Sequence, residues 1–93
     1  MITIDDIVLK RTCRWMPEQY DAFLNGKLVG LLHVRGEFTV TYPDVHGKII
    51  YEVDPFEENN LDRGEFISTE QRQFYLNKAK EEILNKLNSE VYA

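Results

Sequence analysis

Residues 19–53 read QYDAFLNGKLVGLLHVRGEFTVTYPDVHGKIIYEV, and this stretch decides the fold. Short β-prone runs are broken at Asn25-Gly26, at Gly36 and at His46-Gly47. Asn-Gly between two apolar runs is a strong hairpin signal, because a type I′ turn needs φ > 0 at both central residues. Four strands follow from the punctuation. Tyr20–Leu24 places Tyr20, Ala22 and Leu24 on one face. Lys27–Arg35 places Leu28, Gly30, Leu32 and Val34 on one face and Val29, Leu31 and His33 on the other, so it reads as a central strand covered at least in part on both sides. Glu37–Tyr42 alternates, with Phe38, Val40 and Tyr42 inward, and Pro43 ends it. Lys48–Val53 sends Ile49, Tyr51 and Val53 one way and Lys48, Ile50 and Glu52 the other.

Upstream, two readings compete. Thr3 with Asp6, followed by Ile7, Val8 and Arg11, fits a short helix capped by Thr3. Residues 7–15 also alternate, and their β-branched residues and Trp15 favour a strand. Pro17 then makes a turn with Met16, Glu18 and Gln19.

Downstream, periodicity stops over residues 54–67, where Pro55, Glu57, Glu58, Asn59, Asn60, Asp62 and Gly64 predict a long acidic loop pegged by Phe56, Leu61 and Phe66. A helix follows over residues 68–88. Ser68 and Gln71 have capping-box spacing, and Leu76, Ala79, Ile83 and Leu87 form its apolar stripe, with Leu84 on the flank. Phe74 stands off that stripe, with Tyr92 on its side if the helix runs so far. It either packs under the acidic loop or meets a partner. Arg35-Gly36-Glu37-Phe38 recurs as Arg63-Gly64-Glu65-Phe66, and each copy reads as a glycine turn leading into an anchored aromatic. The expected architecture is thus a single α+β domain over residues 1–93: an antiparallel meander of four to five strands (1–53), an acidic loop (54–67) and one C-terminal helix (68–88) packed on the sheet.

Composition bounds the function. At 93 residues, with 43% hydrophobic and 29% charged residues, the chain is long enough for one modest core and too apolar to be disordered. No run of about 18 apolar residues predicts a membrane span. No secretory leader is expected, and a lone cysteine, Cys13, fits a cytoplasmic protein. The net charge of −5 is uneven. Residues 41–70 hold Asp44, Glu52, Asp54, Glu57, Glu58, Asp62, Glu65 and Glu70 against Lys48 and Arg63. A field of that sign repels phosphate backbones and attracts basic surfaces. A solvated, solubilising loop is the plainer reading.

Catalytic and metal chemistry lack their motifs. His33 and His46 are far apart, with no second cysteine, so no zinc spacing exists. An EF-hand alignment on Gly64 puts Leu61 and Arg63 at ligand positions, where neither supplies a suitable oxygen. Cys13 paired with a histidine across the sheet would make a thiolate nucleophile, but a lone strand cysteine is more often a small hydrophobe. No glycine-rich phosphate loop precedes a helix. The expectation is a protein without catalytic residues, cofactor or metal.

Were residues 4–11 a helix, the helix–sheet–helix order would resemble a double-stranded-RNA-binding domain, with Lys78-Ala79-Lys80 in its final helix. Thr69, Glu70 and Gln71 stand where that family has its lysine cluster, and the acidic balance removes the main electrostatic contribution to affinity. Nucleic-acid binding is therefore a secondary expectation, resting on Lys10, Arg11 and Arg14 beside Trp15. The block Tyr20–Asp44, with Gly26, Gly30, Gly36, Phe38 and Tyr42-Pro43, together with Arg72, Tyr75, Leu76, Lys78 and Ala79, resembles small uncharacterised accessory proteins of phages and other mobile elements of Gram-positive bacteria. That resemblance implies an accessory protein acting on a host or element protein, and it carries over no functional residue. The candidate contact surface is Asp54, Glu57, Glu58, Asp62 and Glu65, with Phe74 and Tyr92 as apolar anchors, facing a basic or nucleic-acid-handling protein. The rival is a homodimer pairing edge strands.

Overall fold

The computed structural model describes residues 2–13, 17–54 and 65–91. A 3₁₀ turn, Ile4–Asp6, leads into β1 (Ile7–Arg11), β2 (Gln19–Leu24), β3 (Lys27–Val34), β4 (Phe38–Tyr42), β5 (Lys48–Val53) and α1 (Thr69–Val91). The five strands form one antiparallel sheet in the order β1-β2-β3-β4-β5, the meander and single C-terminal helix of an α+β fold. Asn25 (φ 53°) and Gly26 (φ 81°) both sit in the left-handed region, as a type I′ hairpin requires. The Tyr42-Pro43 peptide is cis.

Both readings of the N-terminus hold in part. The Asp6 carboxylate accepts the Thr3 N–H at 2.8 Å and closes a single 3₁₀ turn, which gives way at once to β1. That layout lacks the N-terminal helix on which the RNA-binding resemblance depended. The expected strand over 7–15 stops at Arg11. Its partner β2 begins only at Gln19, so Arg11 pairs with Tyr20, and one further ladder bond, Thr12 N–H to the Gln19 carbonyl at 2.9 Å, ends the pairing. Arg14 and Trp15 lie outside the described residues.

Two β-bulges redistribute the predicted faces. Ala22 pairs with Gly30 and Phe23 with Leu28, so Val29 has no residue opposite it. Val29 turns into the core, and Leu28 leaves it. Likewise Val40 pairs with Tyr51 and Thr41 with Ile49, which leaves Ile50 over. Tyr51 and Val53 pack inward as expected; Ile50 joins them, and Ile49 is left 56% exposed.

The core lies between the sheet and α1. Ile7, Tyr20, Ala22, Val29, Leu32, Val34, Phe38, Val40 and Tyr42 come from the strands, Phe66 from the segment before the helix, and Ala79 and Ile83 from α1. Tyr75, Leu76, Leu84 and Leu87 flank the helical stripe. Only this face of the sheet is covered by a helix among the described residues. Leu31 and His33, on the far face of β3, are half-buried among their neighbours rather than capped by a second layer.

The cap of α1 differs in one detail from the expected reciprocal box. Ser68 Oγ accepts the Gln71 N–H at 3.1 Å, but the Gln71 side-chain oxygen Oε1 accepts the N–H of Ile67, at 2.8 Å. The helix also continues beyond residue 88, to Val91. The Arg-Gly-Glu-Phe duplication has a structural outcome: its two phenylalanines, Phe38 and Phe66, pack together with ring centroids 5.3 Å apart.

Small residues let the helix sit close. A Cβ built on Gly30 would lie 2.8 Å from Cδ1 of Ile83, a side chain that is fully buried and has little room to yield. Gly30→Ala is expected to cost about 1–3 kcal/mol through overpacking. Ile83→Val removes the offending methyl group, so the double variant should lose less than the sum of the two single changes, as measured by urea unfolding.

Candidate functional site

Of the acidic surface expected from the sequence, Asp54 and Glu65 are described and both are exposed. Glu57, Glu58, Asp62 and the apolar anchor Tyr92 lie outside the described residues. Asp54 follows the end of β5, and Glu65 precedes the buried Phe66.

The expected burial of Phe74 is not found: its side chain is 63% exposed. The buried stripe of α1 runs through Tyr75, Ala79 and Ile83, and Phe74 stands beside it. Phe74 meets Tyr75 edge-on, with centroids 5.0 Å apart and planes at 87°. Tyr75 stacks on Phe66 at 5.8 Å, so a line of aromatic contacts joins Phe74 to the segment that carries Glu65. Phe74 borders a shallow groove of about 420 Å³ with Tyr51, Asn77, Lys78 and Glu81. Lys78 is tied there to Glu82 at 3.2 Å, with its ammonium 5.9 Å from the Tyr51 ring centre. The groove is thus walled by two aromatics and a neutralised lysine, a surface suited to an apolar side chain with a charged neighbour.

A buried ionic cluster anchors this region. Glu18, read from sequence as a turn residue, is fully buried. Its Oε2 accepts Nε of Arg72 at 2.7 Å and its Oε1 accepts Nη2 at 3.2 Å, a two-pronged guanidinium–carboxylate pair. The Phe66 N–H donates to Oε1 at 3.2 Å, and the Tyr20 hydroxyl donates to Oε2. The Glu18 backbone carbonyl accepts the Val34 N–H at 3.0 Å. Burial pushes the Glu18 carboxyl up, but hydrogen bonds from Arg72, Tyr20 and Phe66 and the charge of Arg72 outweigh it and hold the carboxyl below its ordinary value. Burial and the adjacent Glu18 push the Tyr20 hydroxyl up to about 12. No buried side-chain polar atom among the described residues lacks a hydrogen-bond partner, so the cluster acts as a latch joining β2, the residues before α1 and the first turn of α1.

The residues weighed for catalysis do not converge. His33 sits on the far face of β3, its pKa lowered by burial and by Arg35. Its neighbours across the ladder are Gln19 and Thr39. His46 lies in the turn after β4, where its N–H donates to Asp44 Oδ1 at 2.8 Å. Among the described residues no hydrogen bond joins Cys13 to either histidine, and no group of three His, Cys, Asp or Glu side chains is placed to hold a metal ion.

A larger concavity lies at the other end of the molecule. A cleft of about 940 Å³ opens between the starts of β3 and β5, the 43–47 turn and the end of α1. The Tyr42 hydroxyl donates to Oε2 of Glu90 at 2.7 Å, which ties the helix end to β4. Burial and that carboxylate push the Tyr42 hydroxyl up to about 12. Gly47 is required in this turn: a Cβ there would lie 1.9 Å from the Tyr42 carbonyl oxygen. Nothing in the sequence marks this cleft, because its walls come from three separate stretches of the chain, 24–29, 42–50 and 86–90. Nor does the sequence mark the Glu18–Arg72 pair, because 54 residues separate the partners.

No helix among the described residues is long and apolar enough to cross a membrane. Comparison with protein-family models, with curated proteins and with solved structures finds no match.

Proposed function

We propose that this protein is a non-catalytic accessory protein of the cytoplasm that binds a basic protein partner through Phe74 and the acidic residues ahead of α1. The observation that carries this reading is the exposure of Phe74, a large aromatic held edge-on against a buried ring network rather than packed into it. An exposed aromatic that becomes desolvated when a partner covers it can serve as a binding anchor. Its surroundings supply the charge. Asp54 lies three residues beyond Tyr51 of the groove, Glu65 adjoins Phe66, and residues 41–70 carry eight carboxylates against two cations. Such a field steers a lysine- or arginine-rich surface toward the groove, and the aromatic anchor then slows its release. The resemblance to accessory proteins of mobile elements fits this role, and a partner that itself handles nucleic acid would present the required basic surface.

A second reading rests on the sheet edges. Val8 on β1 and Ile49 on β5 are both well exposed, so pairing of edge strands between two copies is the rival. Light scattering separates the two: the accessory reading expects a monomer.

The proposal is tested by quantitative capture from a bacterial lysate on immobilised wild-type protein, on Phe74→Ala and on a triple charge reversal, Glu57→Lys, Glu58→Lys and Asp62→Lys. The expected result is a basic partner whose recovery falls by about tenfold or more with either change, the loss typical of an anchor residue. Equal recovery on all three baits would end the reading.

A further inference from the structure

We propose that the cleft at the end of α1 binds an amphipathic organic anion, an apolar chain bearing a carboxylate or phosphate head. It is a site separate from the Phe74 groove and independent of the role assigned to that groove.

Two β-bulges build its floor. Val29 and Ile50, the two residues without a partner across the ladder, are both turned inward and both line the cleft. Bulges of this kind re-aim side chains and are over-represented beside binding sites. Leu24, Leu28 and Leu87 complete an apolar surface. At about 940 Å³ the cleft is the size of a small-molecule site, and such sites combine an apolar lining with a few polar groups.

The rim selects for negative charge. Lys27 from β3, Lys48 from β5 and Lys86 from α1 converge on the cleft from three elements. None of the three has a carboxylate within ion-pair distance among the described residues, whereas Arg72 and Lys78 are both paired. The two carboxylates of the cleft are already engaged: Glu90 accepts the Tyr42 hydroxyl and Asp44 accepts the His46 N–H. Those neutral donors leave both carboxylates charged, so the lining holds three ammonium groups against two carboxylates, a net positive charge in a chain whose acidic residues outnumber its basic ones by 16 to 11. Placed there, the head of the ligand meets the ammonium groups while its chain lies along Val29, Ile50 and Leu87.

The test is a titration of isotope-labelled protein with decanoate, decyl phosphate and 1-decanol below their aggregation concentrations, followed by NMR. One or both anions should give saturable shifts at Leu28, Val29, Ile50 and Leu87, with 1-decanol binding about tenfold or more weakly. The triple change Lys27→Gln, Lys48→Gln and Lys86→Gln lies on the exposed rim, and its fold is checked by its melting temperature. It should weaken anion binding by about tenfold or more, since three exposed ion pairs of ordinary strength sum to that. The relative response to the two anions assigns the head group. No saturable shift, shifts centred on Phe74 or on the far face of the sheet, anions binding no more tightly than 1-decanol, or anion affinity unchanged in the triple lysine variant would overturn the proposal.

Discussion

Arg72→Ala is expected to destabilise the fold by about 3–5 kcal/mol, the cost of leaving a buried carboxylate without its counter-charge. Glu18 has no solvent exposure, so water cannot replace the guanidinium. The Tyr20 hydroxyl and the Phe66 N–H would remain, two neutral donors facing a full negative charge. Glu18→Gln should cost less, about 1–3 kcal/mol, because Arg72 reaches solvent on one side and the amide keeps part of the hydrogen bonding. The two effects will not add, since each change removes the same pair. The latch also has a pH signature. The folded Glu18 carboxyl is held below its ordinary value of 4.5, so its contribution is complete above that pH and is lost as pH falls through the lower, folded value. The stability gap between wild type and Glu18→Gln, measured by urea unfolding, should therefore hold constant from neutral pH to about 4.5 and close below it. A gap that widens on acidification would mean that the carboxyl is not held in its ionised form.

Phe38→Ala is expected to cost a further-reaching 3–5 kcal/mol, roughly the loss from truncating a fully buried aromatic. Phe38 has no exposure and its ring faces three others: Tyr51 of β5 at 6.3 Å, Phe66 at 5.3 Å and Tyr75 of α1 at 6.1 Å. Truncation would open a cavity where strand, pre-helical segment and helix meet, and no single element can move to fill it. Phe38→Leu keeps most of the volume and should cost about 1–2 kcal/mol. Denaturant unfolding of both variants checks the order, and an equal, small cost for both would place the centre of the core elsewhere.

The local features of this fold were legible because they depend on residues near one another in the chain. Asn25-Gly26 needs only its own backbone preferences to make a turn. Ser68 caps a helix whose first turn begins at the next residue, and the Ala79–Ile83 spacing marks one helical face. What the sequence concealed depends on pairing across the fold. Nothing in Lys-Ile-Ile-Tyr-Glu-Val tells which isoleucine is left over when β5 is laid against β4, yet that choice turns Ile50 inward and Ile49 outward. The same holds for Val29 and Leu28 in β3. Glu18 looked like one more polar residue beside a proline, because Arg72 lies on the far element. Phe74 was visible as an aromatic off the stripe, but its exposure depends on what stands beside the helix.

These sites divide the molecule into parts with separate duties. Phe38 and the Glu18–Arg72 latch hold the sheet and helix together, while Phe74 contributes to what that assembly presents. The most direct test of this division is the melting temperature of Phe74→Ala measured beside that of Phe38→Ala. Phe74→Ala should melt as the wild type does, within about 0.5 kcal/mol of stability, as exposed substitutions generally do, while losing the captured partner. If Phe74→Ala instead lost as much stability as Phe38→Ala, the ring would belong to the core, and the account of Phe74 as a contact residue would be contradicted.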